Sequence, residues 1–438
     1  MCPYLFGADA LEKIYATEGL AKPLRVVAPT TFVMAILGVF RGLFQGKNTM
    51  IPTAISQVLE QIINAIVSIT AIYAFMNLNK ASDQVAAFGA AGSMLGTLSG
   101  AVTALLFLLF VFVIYRPVIQ KQMKRDHNQY LETNSEIYQV LFLTIVPIIF
   151  SQTVYQIGYT LDDMIFGNIM SGKGYTNAIV SSLRGVFNSQ YNLLINVPVA
   201  IASSMAASTI PSIAASARTG SSDIIDKIKA VIKFNMMIAF PSAVGLSVLA
   251  RPIIRLLFPS LTTYQDTAVF LLIFGSSAVV FYSLSTITTS ILQGMDYMKV
   301  PIYHAGVSVI FHVIIVSLLL SFTNLGVYAL LIGNITFPLM VCLLNWHSVE
   351  KYLNYKQEVK KTFGVTFLSS LIMGIVVFLI YHGTYFLLKS NIFSTLCSIA
   401  IGACVYFFSL LILKCFTKEE LRDIPMGGRI AKIGHRFL

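Results

Sequence analysis

The chain has 438 residues, of which 56% are hydrophobic and 11% are charged, and its mean hydropathy is +0.77. Soluble proteins average about 25% charged residues, so this composition indicates an integral membrane protein and excludes an ordinary soluble domain. The net charge of +11 does not indicate nucleic acid, because the basic residues concentrate in alternate loops between hydrophobic segments, the positive-inside pattern of a multi-pass protein.

Uncharged segments long enough to cross about 30 Å of hydrocarbon recur along the whole chain. They predict an all-α integral membrane protein with about eleven transmembrane helices. The segments lie near residues 25–43, 51–77, 83–116, 137–161, 178–203, 231–250, 266–296, 300–349 (two spans hinged at "SFTNLG"), 361–389 and 389–414. Assigning the more basic loops to the cytoplasm places the C-terminal tail there as well.

Motifs for nucleotide, dinucleotide or metal chemistry are absent from the sequence. It contains no Walker A motif, no Gly-rich dinucleotide turn and no metalloprotease helix motif. The five cysteines show no Cys-x-x-Cys spacing and are typical of small packing residues. We therefore expect no cofactor, no metal and no enzymatic activity, and any driving force must come from ions, membrane potential or substrate.

A short motif occurs twice. "QGKNTM" at 45–50 and "QGMDYM" at 293–298 each close a hydrophobic span and precede a proline that begins the next, and Gly294 lies 248 residues after Gly46. Paired halves in the same order are typical of transporters. In the second half of the repeat, three spans precede the span that ends at this motif, whereas in the first half none does. We therefore expect about 110 residues and three helices to be missing from the front.

Polar side chains recur at helical spacing in three of the spans, which predicts a polar cavity. Glu60 lies roughly 14 Å into its span, where a carboxylate needs water or a partner. The stripes are Thr53, Gln57, Glu60 and Asn64; Gln152, Gln156, Tyr159 and Asp163; and Arg184, Asn188, Tyr191, Asn192 and Asn196.

Each of these residues also has a structural interpretation. Glu60 alternatively ties two helices together, Arg184 snorkels to the outer surface, and Arg41 anchors the topology at the cytoplasmic interface. Asp162 and Asp163 stand at the outer end of the span 137–161, where solvation alone accounts for them. His304 and His312 share one helical face and are either proton carriers or, the interpretation we favour, packing residues.

Residues 25–64, "RVVAPTTFVMAILGVFRGLFQGKNTMIPTAISQVLEQIIN", closely resemble the stage V sporulation protein B and polysaccharide biosynthesis family. That family is similar to the lipid II flippases and belongs to one superfamily with the multidrug and toxin extrusion exporters. The resemblance implies a two-lobed inverted-V transporter of fourteen helices in the bacterial cytoplasmic membrane, which exports a lipid-linked sugar. Members often carry a basic residue where this chain has Asn64, a departure that bears on the charge of the cavity.

The favoured function is export of a lipid-linked oligosaccharide or peptidoglycan precursor by alternating access. The alternatives are a cation-coupled multidrug antiporter and a membrane enzyme of polymer assembly. We expect a monomer that binds membrane lipid, a polyprenyl-pyrophosphate-linked sugar and a coupling cation, with an incomplete N-terminal lobe (1–125), a C-terminal lobe (126–350) and two further helices with a basic tail (351–438). The candidate substrate-binding residues are Arg41, Gln45, Gln57, Glu60, Asn64, Gln156, Asp163, Arg184, Asn192 and Asn196.

Overall fold

The computed structural model describes residues 2–15, 17–47, 49–125, 133–219, 224–353 and 358–415, and in these ranges every regular element is a helix. Two π-helical segments, Val186–Asn192 and Lys360–Val365, interrupt the α-helices. In chain order the helices are α1 (Cys2–Phe6), α2 (Ala8–Ile14), α3 (Ala21–Gly46), α4 (Ile51–Leu78), α5 (Val85–Arg125), α6 (Asn134–Gly172), α7 (Asn177–Gly185), α8 (Leu193–Thr219), α9 (Ile224–Val248), α10 (Ala250–Leu257), α11 (Gln265–Gly275), α12 (Ala278–Gly294), α13 (Lys299–Phe322), α14 (Val327–Leu353), α15 (Thr366–Leu388) and α16 (Asn391–Ile412).

Within the described residues, eight helices are long and apolar enough to cross a membrane, or nine if the bent pair α11–α12 forms one span. The other two predicted segments, 137–161 and 178–203, lie in α6 and in the run from α7 to α8. The chain is thus the predicted multi-pass helical membrane protein, while the count of eleven spans stays a prediction.

The segment 266–296, which the sequence predicts to be one span, contains a bend in the structure. α11 and α12 meet at a break after Gly275 and are bent by 47°. A Cβ at Gly275 would lie 2.2 Å from the ring of Tyr191, so only glycine allows the helix to approach this ring. The break escapes a hydropathy analysis because the residues on either side of it are equally apolar.

The chain separates into two compact units, residues 1–138 and 139–438. In the first unit, α5 packs along both α3 and α4, and Leu37 and Phe44 of α3 are buried with Ala104 and Leu108 of α5. In the second unit, a larger core includes residues of α6, α8, α9, α12 and α14. The three-part division at residues 125/126 and 350/351 stays a prediction.

The repeated motif coincides with matching helix ends. α3 ends at Gly46 and α12 ends at Gly294, while the next helices begin at Ile51 and Lys299, each 248 residues apart. Packing follows the same order, because α5 packs against α3 and α4 as α14 packs against α12 and α13. The helix ends and packing therefore support the internal repeat.

Glu12 joins the short N-terminal helices to the start of α3. Its carboxylate accepts hydrogen bonds from the backbone N–H groups of Ala21 at 2.8 Å and Gly19 at 3.0 Å. These donors would otherwise have no partner at a helix N-terminus. The same bonds, chiefly the one from Ala21, hold the pKa of Glu12 below its ordinary value.

Candidate functional site

In the first unit, Arg41 of α3 reaches across to two side chains of α4. Its Nη2 donates to Glu60 Oε2 at 2.7 Å, and its Nε donates to the hydroxyl of Ser56 at 3.2 Å. Ser56 and Glu60 stand one turn apart on α4, and the Ser56 hydroxyl donates to the Thr53 carbonyl oxygen. The guanidinium is therefore held at two points, and this group is called the Arg41–Glu60 pair below.

The two side chains of the Arg41–Glu60 pair are largely buried. The exposed fractions of the two side chains are 15% and 14%. A charge at the bilayer centre costs about 2.5–3.5 kcal/mol on insertion scales, and pairing offsets that cost. The helix-tying role considered for Glu60 is thus present as a contact, and Arg41 is engaged rather than extended as a free anchor at the interface.

The other residues predicted in this unit do not join the pair. Asn64 is half-buried, and its Oδ1 lies 2.9 Å from the Ser68 hydroxyl. Gln45 of α3 and Gln57 of α4 are exposed. The residues of the predicted stripe do lie on one helix, α4, but their side chains differ in how deeply they are buried.

In the second unit, Arg184 at the end of α7 binds Asp163 of α6 twice. Its Nη2 donates to the Asp163 carbonyl oxygen at 2.8 Å, and its Nε lies 3.7 Å from the Asp163 carboxylate. That carboxylate also accepts from Asn188 Nδ2 at 3.2 Å, and Asn192 Nδ2 donates to Asn188 Oδ1 at 3.1 Å. The structure thus brings three candidate residues, Asp163, Arg184 and Asn192, into one chain of polar contacts through Asn188.

The remaining residues of these two stripes lie elsewhere. Gln156 of α6 and Asn196 of α8 are exposed, and the side chain of Gln152 lies outside the described residues. Arg184 is held by Asp163 at 12% exposure of its side chain, so the snorkelling expected as an alternative is not what the structure shows.

Tyr191 does not share a face with the rest of its predicted stripe. It is fully buried, and its hydroxyl lies 2.9 Å from Asn334 Oδ1 and 3.2 Å from the Gly275 carbonyl oxygen. The cause is the π-helical segment Val186–Asn192, which has a wider turn and shifts the register of the residues within it. A stripe drawn with α-helical spacing is therefore wrong at Tyr191.

The position of Asp162 differs from a second prediction of the sequence analysis. The sequence predicts that its helix ends near residue 161 and that Asp162 is solvated, but α6 continues to Gly172 and Asp162 is buried. Its Oδ1 lies 2.7 Å from Nε2 of the buried His312 of α13. The favoured packing role for His312 therefore comes with a carboxylate partner that the sequence analysis did not identify, since 150 residues separate the two.

In the described part of the chain, no group of three or more His, Cys, Asp or Glu side chains is arranged to hold a metal ion. The sites consist of amides, hydroxyls, tyrosines and two arginine–carboxylate pairs on helices of a membrane protein. Such groups can bind an anionic, hydroxyl-rich ligand by hydrogen bonds and charge.

Solved structures with a similar fold are transporters. The chain resembles "Lipid II flippase MurJ, inward closed conformation" with a TM-score of 0.61 and 18% identity, over 89% of this chain and 73% of that one. It also resembles an inward-facing multidrug resistance MATE family transporter of the MOP superfamily, with a TM-score of 0.60 and 17% identity, over 80% and 77%. The chain therefore has a fold similar to that of these MurJ and MATE structures, as the sequence predicts.

Sequence comparisons match part of the chain to a family model and find several relatives. Residues 3–217 match the family described as "Polysaccharide biosynthesis protein". Stage V sporulation protein B of Bacillus subtilis (strain 168) is 23% identical over 98% of this chain and 80% of its own length. Lipid II flippase MurJ of the same organism is 23% identical over 81% of this chain and 64% of its own length. Residues 3–217 thus match the family that residues 25–64 resemble, and these two relatives are proteins of the kinds that the resemblance names.

Proposed function

We propose that the protein moves a lipid-linked oligosaccharide or peptidoglycan precursor across the bacterial cytoplasmic membrane by alternating access. The observation that carries this proposal is the presence of two arginines, each restrained by a carboxylate, on helices of a MurJ-like fold. A relative and a structural neighbour named as lipid II flippases support the same substrate class.

The arginine–carboxylate pairs suit transient binding of a pyrophosphate. A guanidinium has five N–H donors and binds phosphate oxygens in pairs. Without substrate, Glu60 neutralises Arg41 in the first unit, and Asp163 does the same for Arg184 in the second unit. A substrate phosphate replaces the carboxylate as the partner of the arginine, so the guanidinium has an anionic partner both with and without substrate. The carboxylate can return to the arginine when the phosphate is released.

Polar residues around these pairs serve the sugar. Amides such as Asn188 and Asn192 offer both donors and acceptors to hydroxyl groups. Gln45, Gln57, Asn64, Gln156 and Asn196 are proposed to extend this lining during the transport cycle.

The polyprenyl tail needs an apolar path beside the polar one. The second unit contains an apolar cavity of about 500 Å³ whose lining includes Phe240, Phe281, Trp346 and Phe367, from α9, α12, α14 and α15. Another, of about 440 Å³, is lined by residues of α8, α9, α10 and α16. We assign the tail to such surfaces.

Complementation of a flippase-deficient bacterial strain with the full chain tests this function. We expect Arg41→Gln and Arg184→Gln to reduce complementation by about ten-fold or more, because each removes charge-assisted bonds that together contribute about 1.5–3 kcal/mol. Lys229→Gln is the matched control, since Lys229 forms an exposed pair with Asp226. All variants are compared at equal membrane expression.

Two results would contradict the proposal. Full complementation by both arginine variants would make these residues structural. Loss of drug efflux with unchanged precursor export would instead favour the cation-coupled multidrug antiporter, whose fold this chain also resembles.

We further propose a cytoplasmic C-terminus and a monomeric transporter that is driven by a coupling cation. The orientation rests on the positive-inside pattern of the loops.

A further inference from the structure

The apolar cavity of about 500 Å³ in the second unit runs lengthwise between helices. Its lining repeats at positions i, i+3, i+4 and i+7 on two of them. The residues at these positions are Phe240, Ala243, Val244 and Ser247 of α9 and Leu339, Cys342, Leu343 and Trp346 of α14. Seven residues of helix rise about 10 Å, so the cavity is an elongated space that follows the helices through about a third of the hydrocarbon thickness.

One side of the cavity opens at the surface of the second unit. Leu343 of α14 and Phe367 of α15 line the cavity, and they are exposed by 59% and 46%. Both helices are long and apolar enough to cross a membrane, so the opening lies at the level of the hydrocarbon. A ligand therefore enters the cavity sideways between α14 and α15.

The hydroxyl and thiol groups of the lining are already bonded to backbone carbonyl oxygens. These bonds run from Ser247 and Ser276 to Ile273 at 3.0 and 3.1 Å, from Ser277 to Phe274 at 2.8 Å, and from Cys342 to Phe281 at 3.0 Å. Among the lining side chains, only the indole N–H of Trp346 is a donor without a partner in the described residues. A hydrocarbon chain fits this lining, whereas a sugar or a phosphate would lose its hydrogen bonds there.

Two aromatic side chains mark the end of the cavity at which α14 ends and α15 begins. The ring centre of Phe363 lies 5.7 Å from that of Trp346. Phe363 belongs to the π-helical segment Lys360–Val365, which also carries the exposed Lys360 and Lys361. This segment therefore joins two cations to the aromatic end of an apolar cavity, the arrangement that suits a lipid with a charged headgroup.

The sequence around this end is basic. Residues 350–361 contain four lysines and two glutamates, a net charge of +2. Glu358 lies 3.6 Å from Lys361, but both side chains are nearly half exposed, and such a pair is weak enough to open. Lysines just outside a membrane span attract anionic lipids. The charge of this end is thus complementary to an anionic headgroup.

We propose that the cavity binds an acyl chain of an anionic phospholipid, whose headgroup lies at Lys360 and Lys361. The lipid belongs to the leaflet in which α15 begins, which is the cytoplasmic leaflet in the proposed orientation. Its binding does not depend on the proposed transport function. The inference narrows the path of the polyprenyl tail to the other apolar cavity, between α8, α9, α10 and α16.

Trp346 tests this site without a label, because it is the only tryptophan of the sequence. The purified full chain is reconstituted into liposomes of phosphatidylcholine that contain increasing fractions of phosphatidylglycerol with brominated acyl chains, since bromine quenches tryptophan fluorescence at close range. A parallel series contains brominated phosphatidylcholine. We expect half-maximal quenching at a fraction of brominated phosphatidylglycerol that is lower by about five-fold, the preference that roughly one lysine provides.

Variants separate the headgroup contact from the acyl-chain contact. Lys360→Gln combined with Lys361→Gln should abolish the preference for phosphatidylglycerol and leave quenching by brominated phosphatidylcholine unchanged. Lys121→Gln combined with Lys124→Gln is the matched control, because it removes the same charge from exposed positions at the end of α5; this variant should keep the preference. Ala243→Phe fills part of the cavity from α9 and should reduce quenching by both lipids.

Several outcomes would overturn the inference. Equal quenching by the two brominated lipids in the wild-type chain removes the headgroup site, even if Ala243→Phe fails to fold. An unchanged preference in the variant without Lys360 and Lys361 places the headgroup elsewhere. Stronger quenching by a brominated polyprenyl phosphate than by brominated phosphatidylglycerol would return the cavity to the substrate tail. If the lipids quench as expected while precursor export fails, only the proposed function is wrong.

Discussion

The Arg41–Glu60 pair gives the sharpest stability prediction. We expect Arg41→Gln and Glu60→Gln each to destabilise the protein, because each leaves one charge without its partner in a site where only about one-seventh of either side chain is exposed. Removing one member of a fully buried pair costs about 3–5 kcal/mol. Allowing for the residual exposure, we expect about 2–4 kcal/mol for each single variant.

The double variant separates a pair from two independent residues. With both charges removed, no unpaired charge remains, so the double variant should cost no more than the worse single variant. This corresponds to a coupling energy of about 2 kcal/mol. Equilibrium unfolding in mixed micelles, followed by circular dichroism, measures all four proteins of the cycle.

An exposed ion pair of the same chain supplies the control. Lys229 and Asp226 are 3.3 Å apart with side chains exposed by 43% and 79%, so their cycle should give a coupling of about 0–0.5 kcal/mol. If the costs of Arg41→Gln and Glu60→Gln simply add, the two side chains do not interact in the folded protein and the reasoning is refuted.

Three further predictions follow from other contacts. Glu12→Gln should cost about 1 kcal/mol at neutral pH. Because folding lowers the pKa of Glu12, its contribution is complete above the unfolded pKa and disappears as pH falls through the folded one, so the unfolding midpoints of variant and wild type should converge below the folded pKa. Gly275→Ala should lower the unfolding free energy by about 1–3 kcal/mol through overlap with Tyr191, whereas Gly306→Ala, which meets nothing within 4 Å, should not, and equal losses in a thermal assay would argue against the close approach. Single cysteines placed at the end of α5 and in the loop between α15 and α16 should react from the cytoplasmic and the external side respectively, and the reverse labelling would invert the proposed orientation.

Helix positions were largely predictable because hydrophobicity and repeats act locally. The segment hinged at "SFTNLG" is divided between α13 and α14, and the two Gln-Gly motifs mark the ends of α3 and α12. In a membrane, apolar length and the charges that interrupt it decide where helices begin and end.

The positions where helices break or continue depend on packing between helices and were not predictable from local sequence. Charge at Asp162 suggested a helix end, but a buried partner allowed α6 to continue to Gly172. The break after Gly275 and the π-helical turn at Val186–Asn192 depend on how Tyr191 packs between helices, which no local pattern contains.

The candidate site was predictable in its residue types and not in its pairing. Glu60 and Arg184 were identified because charged residues in apolar spans require partners. Their partners Arg41 and Asp163 lie 19 and 21 residues away along the chain, and a single sequence gives no distance between them.

Transport in purified form tests the central claim most directly. The full chain is reconstituted into liposomes that contain a fluorescent lipid with a polyprenyl-pyrophosphate-linked sugar, and a membrane-impermeant reagent measures how fast the head group reaches the outer leaflet. We predict exchange clearly faster than in protein-free liposomes, and a rate reduced by about ten-fold in Arg184→Gln, which corresponds to about 1.4 kcal/mol. Exchange no faster than in protein-free liposomes, with protein shown to be folded by its unfolding transition, would contradict the proposed function.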